Sequence, residues 1–333
     1  MDVATANENF SVHATILHHE LEIESIDTTI QSILQQVQLL RAKKEHHMDT
    51  IAKCRSISLA HRAPDDVLAL IFEQCAAGGW ADAPLVISHV CSKWRRTSFV
   101  PRVWSHVHLT SKSLKPIAKT RLWLSRALQS PLCVTIDVRV LDPYTLHAFE
   151  LILERAPQWR TLTLNTRFVV QANDILSQCR RCLPYLHTLD IKSFSIGVPT
   201  GQGVDELSAL DDAFHDSPSL SHIRVVSNRF PLGIPPTVVD LFLQLDDIVS
   251  SRPSLSAALQ MLGTLPALRS LTLVISAEFA QILSIDGRPA PEICFPQLER
   301  LIIDAPPDFK EVLLRHIQTP VLQSLDLRST DPH

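Results

Sequence analysis

The chain has 333 residues, 45% of them hydrophobic, enough for two domains or for one domain with an extension. A formal net charge of −4 is too mild for bulk electrostatic binding of nucleic acid, and no run approaches the ~20 apolar residues that span a bilayer. Eight glycines against 22 prolines disfavour glycine-rich phosphate loops and imply short elements punctuated by proline.

Residues 1–58 read as one long helix, because neither proline nor glycine interrupts them. From Ile23 through Ile26, Ile30, Ile33 and Val37 to Leu40 the apolar steps alternate three and four, which is a heptad seam. Lys44 and His47 fall on the same seam and weaken it. Two readings stay open: a coiled coil that self-associates, or a helix that folds back on its own domain. The start "MDVATANENF" lacks a basic segment followed by an apolar one, which argues against secretion. The seven cysteines are scattered and odd in number, so reduced thiols in a cytoplasmic and/or nuclear setting are expected.

Residues 59–126 read as a small helical module. Pro64 suits a first helical turn, and Asp65 and Asp66 complement the positive end of the helix dipole. Val67, Leu68, Ile71 and Phe72 supply the apolar positions. After the loop "AAGGWADAP", a second helix is predicted from about Pro84 through Arg96, with Leu85, Val86, Val90, Cys91 and Trp94 as its apolar stripe. Pro101 ends the unit, and Trp104 follows. From Arg62 to Arg126 ten Lys and Arg stand against four Asp and Glu, a local charge of +6.

Residues 127–333 carry an internal repeat. Eight lines begin at Pro131, Pro157, Pro184, Pro218, Pro236, Pro266, Pro296 and Pro320, each ending in an alternating apolar triplet such as "LTL" or "LDI". The proline-to-proline steps are 26, 27, 34, 18, 30, 30 and 24 residues. Each triplet reads as a short strand with one buried face, and "LHAFELILERA", "SLSAALQML" and "FKEVLLRHI" read as intervening helices. A strand and a helix repeated at this period predict an α/β solenoid with a parallel sheet.

The repeat part resembles variable leucine-rich repeats, in residues such as Leu186, Leu189, Ile191 and Leu268, Leu271, Leu273. It lacks the regular asparagine of that family, which puts the buried asparagine ladder and the curvature in doubt. The module resembles an F-box, whose pattern is matched over about forty to fifty residues by Pro64, Val67, Leu68, Ile71, Phe72, Val90, Cys91, Trp94, Arg95, Pro101 and Trp104. Ala63 departs from the family's leucine, and Asp66 from its glutamate. The order of parts, with "LWLSRALQSPLCVTIDV" after the module, is similar to the F-box proteins abundant in mushroom-forming fungi.

The resemblance implies a non-catalytic, substrate-recruiting subunit of a Skp–cullin–F-box ubiquitin ligase. Its adaptor contacts would be Pro64, Val67, Leu68, Ile71, Phe72, Val90, Cys91 and Trp94. Outward strand positions Thr163, Asp190, Arg224, Thr272 and Asp326 are the candidate client contacts. The alternative is a repeat scaffold that works outside a ligase. No nucleophile, base or oxyanion donor can be assigned, so no enzymatic activity and no cofactor are expected. The pair Cys179 and Cys182 lacks the second pair that zinc would need, and "GQG" at Gly201–Gly203 lacks a phosphate-loop context, so no metal is expected.

Overall fold

The computed structural model describes residues 3–180, 183–193, 207–214, 216–227, 230–231, 233–245, 255–276, 280 and 292–329, with the backbone alone at 3–14, 56–61 and 255. Cys182, Gly201–Gly203 and the acidic pair Asp246–Asp247 lie outside the described residues. The chain divides into two compact units, residues 1–65 and 66–333.

The first unit is α1, one helix from Val3 to Arg62. It continues past Ser58, the boundary predicted for it, until Pro64 forces the preceding residue out of helical backbone. Every described side chain from Thr15 to Arg55 is exposed, the heptad seam included.

The second unit opens with three short helices, α2 (Asp65–Ala77), α3 (Ala83–Ser88) and α4 (Ser92–Ser98), and a 3-10 turn at Pro101–Trp104. The single helix expected over 84–96 is two helices. Val86, Ile87, Ser88, His89 and Val90 are all poor helix formers, and Cys91 is fully extended at φ −157°. Arg95 Nε donates to Ser88 O at 2.9 Å and closes the break. Between α2 and α3 the chain turns through Gly79 at φ +92°, a conformation that favours glycine.

Strands and helices then alternate. They are β1 (His106–Thr110), α5 (Pro116–Ala127), β2 (Leu132–Val138), α6 (Pro143–Leu153), β3 (Trp159–Thr166), α7 (Val169–Gln178) and β4 (Thr188–Ser193). There follow α8 (Leu210–Ala213), β5 (His222–Ser227), β6 (Asp240–Leu245), α9 (Leu255–Gly263), β7 (Ser270–Ile275), β8 (Ile293–Cys294) and β9 (Arg300–Asp304). The last are α10 (Pro307–Arg315), β10 (Ile317–Gln318) and β11 (Ser324–Arg328). Among the described residues nine strands form one parallel sheet in the order β1-β2-β3-β4-β5-β6-β7-β9-β11, and β8 pairs with β10 separately. Parallel neighbours need a crossover, and the predicted helices supply it as α6, α9 and α10.

All eight repeat lines end in strands of this sheet, and the sheet begins one strand earlier than they do. β1, "HVHLT", alternates in burial but has no proline line to announce it. The short step from Pro218 to Pro236 corresponds to the β5–β6 crossover, which has no described helix and contains Pro231, Gly233 and Pro235. A Cβ at Gly233 would collide with the Asp211 backbone of α8, so the close approach requires glycine.

The inward sheet face is a continuous aliphatic layer. Leu109, Ile136, Leu164, Ile191, Val225, Leu243, Leu273 and Ile303 stand in one register row, all nearly inaccessible. Each such leucine or isoleucine contributes about 1.5–3 kcal/mol by leaving water. Trp159 is fully buried, and its Nε1 donates to Ile152 O at 3.2 Å, which ties β3 to the end of α6. Asp142 Oδ1 accepts the Thr145 N–H at 2.9 Å and caps α6. Among the described residues no helix is long and apolar enough to cross a membrane.

Candidate protein-interaction surfaces

α2 carries apolar residues on two faces. Leu68 (3% exposed), Phe72 (2%) and Ala76 turn inward at four-residue spacing. Phe72 meets the Trp94 ring at 5.1 Å, which joins α2 to α4. Val67, Leu70 and Ile71, at spacing three and four, are 42–55% exposed. Leu85, Val86 and Val90 are exposed as well, at 38–56%.

The residues predicted to contact an adaptor therefore divide. Pro64, Val67, Ile71 and Val90 are exposed. Cys91 and Trp94 are half-buried, and Leu68 and Phe72 belong to the core. Leu68 and Phe72 are buried in their own bundle, Phe72 against the Trp94 ring, whereas the other predicted contacts keep exposed or half-buried surface. Leu70, Leu85 and Val86 join the exposed set. Leu70 was readable in principle, since it shares a face with Val67.

The module is anchored to the sheet by tryptophan. Trp104 is buried, donates from Nε1 to Ser98 O at 2.6 Å and meets Trp123 of α5 edge-on at 5.0 Å. The Arg126 guanidinium lies 4.3 Å from the Phe99 ring and 5.0 Å from the Trp104 ring. Lys119 on α5 pairs with Asp82 at 2.7 Å, an exposed contact of small energetic weight.

The outward sheet face is polar. One register row runs His108, Thr135, Thr163, Asp190, Arg224, Phe242, Thr272, Ile302 and Asp326. All five candidate client residues lie in it. Its charges are largely paired within the face: Asp190 with Lys192 at 3.4 Å, and Asp326 with Arg328 at 2.7 Å. Arg224 stacks on Phe242 at 4.2 Å. Asn165 Oδ1, Asp190 Oδ1 and Asp304 Oδ1 are shielded acceptors that receive no hydrogen bond from the described residues.

His106 and His108 sit where the module meets this face. Burial pushes the His106 imidazole below its ordinary value, against the opposing pull of Glu73 on α2. Burial pushes His108 down too; Lys119 adds to it, while Asp137 and Asp82 oppose it. Below the ordinary histidine value of about 6.5 the unfolded chain then binds more protons than the folded one. The contribution is complete above that pH and is lost as pH falls through the lowered folded values. Urea midpoints are expected to decline as pH falls below about 6.5, and His106→Gln/His108→Gln is expected to flatten that decline. An equal slope in the variant would remove these two side chains as its source.

No protein-family model matches the chain, and no curated protein matches it.

Proposed function

We propose that this chain is the substrate-recruiting F-box subunit of a Skp–cullin–F-box ubiquitin ligase and performs no bond chemistry itself. The observation that carries this reading is the doubled apolar surface of α2. Leu68, Phe72 and Ala76 satisfy its own bundle, and Val67, Leu70 and Ile71 stay exposed. A helix with a second apolar face is built to enter a groove on a partner. The Skp-type adaptor supplies that groove, and through it a cullin is reached. The local charge of +6 favours an acidic partner surface and accelerates encounter.

On this reading residues 127–333 form a leucine-rich-repeat-like solenoid, which the strictly sequential strand order supports. Its polar strand face receives the client, with Thr163, Asp190, Arg224, Thr272 and Asp326 along one row. The shielded acceptors Asn165, Asp190 and Asp304 favour a client that brings N–H donors. Tethering sets the rate: a held client meets the charged ubiquitin carrier at high effective concentration.

Calorimetric titration of the full chain with purified Skp-type adaptor tests the proposal. Saturable one-to-one binding, micromolar or tighter, is the expected result; that affinity corresponds to about −8 kcal/mol. A folded chain that gives no binding heat contradicts it and leaves the repeat scaffold outside a ligase.

A further inference from the structure

We infer that α1 pairs with α1 of a second copy of this chain, antiparallel and in a single register. The seam residues Ile23, Ile26, Ile30, Ile33, Val37 and Leu40 are 38–62% exposed on a helix 60 residues long. An aliphatic stripe of that length on a solvated helix calls for a covering surface. Its 3.5-residue period drifts about 20° per heptad on a straight helix, so a second supercoiled helix is the surface that follows it.

The charges beside the seam choose the occupant and its direction. Glu20, Glu22 and Asp27 flank the N-terminal half, and Arg41, Lys43 and Lys44 lie at the C-terminal half. When two copies run antiparallel, Ile23 packs on the second copy's Leu40, Ile26 on its Val37 and Ile30 on its Ile33. In that same register Glu20 faces the second copy's Arg41, and Glu22 faces its Lys43. The three polar positions of the seam, His19, Lys44 and His47, fall at its ends, with Lys44 opposite the second copy's His19 and His47 opposite its Ile16. Segment 16–47 is thus complementary to itself, as a twofold interface requires. A parallel pair would instead set Glu22 against Asp27, Lys44 on Lys44 and His47 on His47. It would stack like charges on the seam and beside it.

The inference goes beyond the proposed ligase role and does not depend on it. Sedimentation equilibrium of the full chain is expected to give twice the 37.2 kDa chain mass at about 10 µM. Glu20→Lys/Glu22→Lys turns the attractive flanking contacts into repulsive ones and is expected to weaken the dimer at least about 10-fold. Adding Arg41→Glu/Lys43→Glu in the same chain exchanges both partners and is expected to restore it to within about threefold. All four positions are exposed, and circular dichroism checks that helix content is unchanged. A monomeric or trimeric wild-type chain would overturn the inference. So would a dimer that Glu20→Lys/Glu22→Lys tightens, because that substitution removes the Glu22–Asp27 repulsion of a parallel pair.

Discussion

Leu68→Asp is expected to lower the thermal midpoint of the second unit by about 8–16 °C, near 4 kcal/mol at 2–4 °C per kcal/mol for a domain of this size. Two effects add. Removing a buried leucine costs about 2–5 kcal/mol, depending on how far the site collapses. An aspartate there must ionise away from water, or take up a proton, before the bundle can close. Leu68 is 3% exposed and Phe72, one turn on, is 2% exposed against Trp94, so the carboxylate would stand at a buried position. The Trp104–Trp123 contact joins this module to β1 and α5, so the loss is expected to spread beyond α2. A circular dichroism melt indistinguishable from wild type would show that Leu68 is not a core residue.

Val67→Asp/Ile71→Asp is expected to do the opposite: leave the midpoint within about 4 °C and remove adaptor binding. Both side chains are more than 40% exposed, and exposed substitutions usually move stability by less than about 0.5 kcal/mol each. At a covered interface each would forfeit about 1.5–3 kcal/mol of apolar burial. Together they would lower affinity by about 100-fold or more. Calorimetry on the folded variant checks this. Unchanged affinity would show that the exposed face of α2 is not the contact.

The contrast between these variants turns on a choice that local sequence leaves open. Val67 and Ile71 are four residues apart, and so are Leu68 and Phe72. Both pairs satisfy helical periodicity, so either face of α2 could turn inward. Tertiary context decides: Trp94, on a helix that starts only at Ser92, meets Phe72. The same break at His89–Cys91 was invisible to apolar spacing, because β-branched residues keep the stripe regular while weakening the helix.

The sheet was far easier to read. Alternation sets which side chains face inward, and a two-residue period leaves little freedom once proline marks each line. Seven lines place their seventh residue in one row, from Thr163 to Asp326. The first is displaced by two residues, so that Thr135 rather than Asp137 joins Thr163. Parity survives the slip, so alternation still identifies the inward face. β1 carries a weaker signal, because "HVHLT" follows helical residues and begins with no proline.

Amide hydrogen exchange of the chain with and without the Skp-type adaptor tests the central claim most directly. Slowed exchange is expected across α2 and α3 and through Val90, with strands β3–β11 unchanged. That pattern would place the adaptor on the exposed apolar residues and leave the polar strand face open for a client. Protection confined to the strand rows, or none on α2 in a complex that demonstrably forms, would contradict the F-box reading.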